Sequence, residues 1–259
     1  MTRIIVHAGF YKTGTTSLQT HLARNGTTLR PWFDYYGQND FHHAGAAARI
    51  YGQYPFPWRL RQFRAAFRSF LHAIPDADCI VLSRESFVGA MPGHRNWMQR
   101  PIIGFPNAAR LLATISAELT HRFGPEVQVE TLFTTRARDA WLQSVHGHLL
   151  RSIRLTDDFD TFAARFVDLP NLATQAQRLG ATHIRAMEDF AHHHNGPAGA
   201  VLDLAGVPTD VQADLPAAAR KNIGQAPDLA AAFLALNRSG KSKTTLKRLK
   251  NDMLREARA

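Results

Sequence analysis

The chain has 259 residues, enough for one α/β domain with a sizeable core, and no polar linker, repeat or compositional break divides it before about Asn237. Its 31 Lys and Arg against 21 Asp and Glu leave a net charge of +10, which suits an anionic ligand, a nucleic acid or an anionic membrane; the basic residues form no recognisable nucleic-acid module with stacked aromatics, so nucleic acid is not an expected partner. The single cysteine, Cys79, excludes an intramolecular disulfide, and no stretch approaches the roughly 20 apolar residues of a membrane span or the core of a signal peptide.

In chain order, Ile4-Ile5-Val6 reads as a short buried strand and Thr15 through Asn25, with Leu18 and Leu22 one turn apart, as a helix. Between them runs His7-Ala8-Gly9-Phe10-Tyr11-Lys12-Thr13-Gly14. Strand, glycine-bearing loop and helix form a phosphate cradle: backbone N–H groups converge on an anion and the helix dipole favours it. Gly9, four residues and Gly14 follow P-loop spacing, yet Thr15 stands where an ATPase or GTPase loop carries its lysine. The lysine has moved inside the loop, to Lys12. There it would lie beside the first phosphate held and could neutralise a bridging oxygen as a bond to it breaks.

Phe41-His42-His43-Ala44 follows a loop, and histidine is the residue type best suited to moving a proton at physiological pH. Trp58 to Ile74 reads as a helix with an aromatic stripe of core residues. The strand 79–83 leads into Arg84 and Glu85, and Cys79 within it reads as a buried, inert thiol. Residues Met91 to Pro106 form an apolar, Pro- and Gly-rich loop that either folds against the body or lines an acceptor pocket. A helix over Ala108 to Phe123 and a strand over 127–135 follow, then Arg136, with Ser144 in the next helix. The last strand, 182–187, precedes Glu188, read as a helix N-terminal charge. His192-His193-His194 point in different directions on a helix and lack an acidic or thiol partner at ligand spacing, so no metal is expected. Residues 238–259 read as a basic amphipathic helix that packs on its own domain, with a membrane surface or a partner subunit as the other roles. Alternating strands and helices predict a three-layer α/β/α fold, a mostly parallel central sheet and a single domain over 1–259. Lys12, Glu85 and Arg136 all follow the carboxyl ends of predicted strands, where ligands bind in such sheets.

Lys12-Thr13-Gly14-Thr15-Thr16 closely resembles the signature of sulfotransferases that use 3′-phosphoadenosine 5′-phosphosulfate (PAPS). In that family an arginine ending a strand and a serine eight residues on bind the 3′-phosphate, and Arg136 and Ser144 stand at that spacing; Ala137-Arg138 replaces the common Asn-Pro or Asp-Pro pair. Thr182 to Phe190, Val201 to Pro208 and the basic Arg220-Lys221-Asn222 run in family order, with Lys221 a phosphate contact. The resemblance implies a PAPS-dependent sulfotransferase whose donor site is built from Gly9, Tyr11, Lys12, Thr13, Gly14, Thr15, Thr16, Arg136, Ser144 and Lys221, with no metal required. The position of the family's basic histidine is Glu85 here, and His42 and His43 are its rivals. The resemblance implies a hydroxyl or amine acceptor, and a carboxylate base points to a carbohydrate or glycolipid. The Golgi relatives carry a membrane anchor, so its absence points to a cytoplasmic enzyme. The alternatives are a P-loop kinase or nucleotide hydrolase, and a non-catalytic nucleotide- or nucleic-acid-binding protein.

Overall fold

A computed structural model of the chain describes residues 1–190, 192–219 and 227–257. Its packing divides into two compact units, Met1–Arg138 with Pro170–Lys221 and Asp139–Leu169 with Asn222–Ala259. The first unit holds a five-stranded sheet of β1 (Arg3–His7), β2 (Asp34–Tyr36), β3 (Cys79–Ser83), β4 (Gln128–Thr135) and β5 (His183–Ala186), in the order β2-β3-β1-β4-β5. Every pairing is parallel. The fold is three-layered α/β/α. Apolar runs such as Ile4-Ile5-Val6 and Ile80-Val81-Leu82 form the central strands because both faces are covered. The chain leaves β1 towards β3 on one side and returns to β4 on the other. The loops after β1, β3 and β4 therefore open at one crevice beyond the strand ends.

Helices α1 (Thr15–Arg24), α2 (Gly26–Leu29), α3 (His42–Gln53), α4 (Pro57–Ala73) and α5 (Ala108–Phe123) belong to the first unit. Ile5, Val81 and Leu132 lie on one face of the sheet, in one apolar cluster with Leu18 and Leu22 of α1 and Val201 and Leu202 of a later short helix. On the opposite face Tyr36 meets Phe70 of α4 edge-on, 5.5 Å between centroids. The α4 stripe buries Phe63, Phe67 and Leu71, while Leu60 and Phe70 are only half covered. A buried carboxylate, Glu118, clamps α5 to α4 through Arg64 and Arg68 at 2.5 and 2.6 Å.

The second unit contains α6 (Arg138–Ser152), whose last carbonyls are taken by other helices of the same unit. Asn237, on the helix Pro227–Arg238, donates to the carbonyls of Leu150 and Leu155. Lys250, on the helix Lys243–Glu256, donates to Leu150 and Ile153 at 2.6 and 2.8 Å. The basic terminal helix is thus shorter than the 238–259 span read from the sequence. Arg238 ends the preceding helix, Gly240 turns the chain at φ 71°, and the Ser242 side chain caps the new helix by accepting from Thr245 N–H. Two further differences concern the sheet. The three-residue edge strand β2 had no counterpart in the reading of the sequence, and Cys79 is half-buried rather than enclosed. Among the described residues no helix is long and apolar enough to cross a membrane.

Candidate functional site

The loop from Ala8 to Gly14 joins β1 to α1 and is pinned from below. Phe10 is buried between Phe105 and Phe133, with ring centroids 4.6 and 5.0 Å away. Lys12 sits in the left-handed region at φ 69°, and Gly14 at 86°. A lysine there costs roughly 1–2 kcal/mol, so the surroundings must hold it. Such turns aim successive N–H groups at one point, the geometry of an anion nest. Gly14 is also the N-cap of α1 and no side chain caps the helix, which leaves the first-turn N–H groups of Thr15, Thr16 and Ser17 directed at the loop. Met187 Sδ and Pro197 Cγ would lie 3.1 and 3.0 Å from a Cβ at Gly14, so the segment after β5 presses on this turn.

Beneath the loop runs a chain of buried polar groups that the sequence did not reveal. Alternation puts His7, Ser83 and Thr134 on the sheet face covered by α1. His7 Nδ1 is 2.7 Å from Ser83 Oγ, and His7 Nε2 is 3.2 Å from Thr134 Oγ1. Thr134 Oγ1 is 2.8 Å from Thr13 Oγ1, which donates to the Phe10 carbonyl at 2.6 Å. A carbonyl only accepts, and that fixes the direction of the whole chain. Thr13 spends its proton on Phe10, so Thr134 donates to Thr13 and accepts from His7 Nε2–H. His7 Nδ1 is then bare and accepts from Ser83. His7 is therefore the neutral Nε2–H tautomer, and complete burial pushes its pKa down to about 4. A Cβ at Gly9 would stand 2.5 Å from His7 Nε2 and 2.8 Å from Thr134 Oγ1, so only glycine fits over this chain.

Glu85 opens a short 3-10 helix, Glu85–Val88, directly after β3. Gln19 of α1 donates to its Oε2 at 3.1 Å and to the Ser83 carbonyl at 3.2 Å. Gln19 thus joins the carboxylate to the helix that begins at the loop. Arg84 turns away from Glu85: its guanidinium is buried, donating to Ser86 Oγ at 2.9 Å and to the Gln38 carbonyl at 2.5 Å. Tyr11 donates to the Gly89 carbonyl at 2.7 Å and ties the loop to the segment after β3. Burial, with the charge of Glu85 beside it, pushes the Tyr11 hydroxyl well above the usual phenol range.

Arg136 follows β4, and its Nη1 donates to the Lys12 carbonyl at 3.4 Å while its Nε is buried without a partner. A guanidinium held against the loop is suited to an anion. The structure therefore brings Gly9, Tyr11, Lys12, Thr13, Gly14, Thr15, Thr16, Glu85 and Arg136 to the ends of β1, β3 and β4. Ser144 lies on α6 in the second unit, half-buried. Lys221, with Arg220 and Asn222, lies outside the described residues. His42 and His43 are exposed at the start of α3, whose Gly45 packs against the Arg84 guanidinium. Glu188 does more than favour a helix dipole: its Oε1 accepts from Ala137 N–H at 2.9 Å and joins the chain leaving β4 to that leaving β5. His194 faces the Leu215 carbonyl and His193 accepts from Asn195 N–H, so both serve local structure. Among the described residues no group of His, Cys, Asp and Glu side chains could hold a metal ion.

No protein-family model matches the chain, and no curated protein matches it significantly.

Proposed function

We propose that the chain is a PAPS-dependent sulfotransferase acting on a hydroxyl or amine, with a carbohydrate or glycolipid as the acceptor class. The observation that carries this reading is Lys12, held in a left-handed turn inside the loop and flanked by Arg136 on its own carbonyl. In that reading the loop N–H groups and the α1 N-terminus bind the 5′-phosphate of the donor, and the guanidinium of Arg136 binds its 3′-phosphate. The acceptor oxygen forms a bond to sulfur as the bond from sulfur to the bridging oxygen breaks. Lys12 meets the charge that develops on that oxygen, and the product nucleotide is adenosine 3′,5′-bisphosphate. The acceptor proton passes to Glu85, whose carboxylate Gln19 orients.

Titration calorimetry with adenosine 3′,5′-bisphosphate, AMP and ATP, each with and without Mg²⁺, tests the reading. The bisphosphate binds without metal and more tightly than AMP by about 2 kcal/mol, roughly thirty-fold, the lower end for losing a bidentate charged contact at a part-exposed arginine. Equal affinity for AMP and the bisphosphate rejects the 3′-phosphate site. Metal-dependent preference for ATP supports a kinase or hydrolase instead.

A further inference from the structure

Two long stretches of the chain carry no carboxylate: residues 41–75, between Asp40 and Asp76, and residues 86–117, between Glu85 and Glu118. Together they hold eight arginines, so any surface they share is of one sign. They do share one. Trp97 N–H donates to the Gln53 carbonyl at 3.0 Å, and Gln53 Nε2 donates to the Arg95 carbonyl at 3.1 Å. The turn at 95–101 is built in advance, with Asn96 Oδ1 accepting from the N–H groups of Met98 and Arg100. Phe56 stacks on Trp58 at 4.6 Å and lies 5.6 Å from Trp97.

This face is apolar as well as basic. Of the seven exposed large apolar side chains among the described residues, five fall in these two stretches; Trp58, Trp97 and Met98 are each 49% exposed. Arg64 and Arg68 are paired with Glu118, whereas Arg61, Arg95 and Arg100 stand exposed on the same two segments. We infer that this face docks on an anionic lipid bilayer, with Trp58, Trp97 and Met98 entering the headgroup layer and Arg61, Arg95 and Arg100 meeting lipid phosphates. Indole rings favour the membrane–water interface, and arginines close to an anionic leaflet are drawn to it. Single-stranded nucleic acid is the lesser fit. Stacking with Phe56 already occupies one face of Trp58, and an exposed methionine offers a base no stacking surface. The inference stands apart from the proposed transferase activity, because it concerns binding without donor or acceptor.

Vesicle flotation of the full chain tests it, using phosphatidylcholine alone and phosphatidylcholine with a minority of phosphatidylglycerol. The wild type floats with the anionic vesicles only. Trp58→Ser with Trp97→Ser weakens that binding about ten-fold or more, as does Arg61→Gln with Arg95→Gln and Arg100→Gln. Unchanged melting temperature shows that each variant is folded, and the arginine variant carries the test if the tryptophan variant is not. Lys247→Gln with Arg248→Gln, on the basic terminal helix, retains binding. The inference is overturned if the wild type does not bind, if it binds neutral vesicles equally, or if only the terminal-helix variant loses binding. It is also overturned if the face variants lose affinity for a single-stranded oligonucleotide while keeping it for vesicles.

Discussion

His7 gives the fold an acid sensitivity of its own. The imidazole is fully buried, its Nδ1 accepts from Ser83, and its two partners are hydroxyls that offer no negative charge to a proton. Burial lowers its pKa to about 4, whereas the unfolded chain keeps the ordinary 6.5. Above pH 6.5 the side chain is neutral in both states and contributes no pH dependence. Between 6.5 and 4 the unfolded chain takes up a proton that the folded chain refuses, so stability falls as pH falls. At about 1.4 kcal/mol per pH unit the loss reaches about 3 kcal/mol by pH 4. Urea denaturation of the wild type and His7→Asn at intervals from pH 7.5 to 4, taking pH steps of about half a unit, measures it. The variant is less stable at neutral pH, because Asn at best keeps the bond to Ser83 and orphans Thr134. Its deficit then shrinks by about 3 kcal/mol on acidification. His21 and His94 are also pushed down by burial, but they are common to both proteins and cancel in the difference. Glu118 and Glu130 are held low by their arginine partners, and they too are common to both proteins and cancel. Parallel curves for the two proteins refute the neutral, direction-locked imidazole.

Two further outcomes concern the proposed chemistry. Lys12→Ala abolishes sulfuryl transfer while calorimetry shows a smaller loss of bisphosphate affinity, because the lysine acts most on charge that develops in the transition state; unchanged turnover removes it from the reaction. Glu85→Gln lowers turnover by about 10²–10⁴-fold with bisphosphate affinity nearly intact, and replacing His42 and His43 together with Asn does less. The reverse ranking in the same assay moves the base to the histidines.

The parts of the fold that depend on local pattern were legible. Apolar runs announced β1, β3 and β4, and the helix over Ala108 to Phe123 has the limits its periodicity gave. Asp34-Tyr35-Tyr36 was not legible, because three residues with an acidic start are too short for alternation to register. The break between Arg238 and Lys243 was hidden by apolar spacing that runs past it, although Gly240 and Ser242 were the available signals. At the site, the loop and Arg136 could be placed because each follows a strand directly. The chain through His7 could not: its links join residues 76 and 127 positions apart, and a histidine ending an apolar strand carries no mark of its partners. Gln19 was equally silent, since one glutamine on a helix looks like any other until the opposing strand is in place. The interleaving of the two units left no linker to read.

The stitching at the end of α6 has a consequence for the order in which the protein assembles. The carbonyl of Leu150 takes its donors from Asn237 and Lys250, 87 and 100 residues further along. At roughly 5–20 residues per second on the ribosome, the later donor emerges some 5–20 s after its acceptor. Until Asn237 emerges, water takes the place of both donors at the Leu150 carbonyl. The second unit is therefore closed by contacts distant in sequence, the slow kind to form.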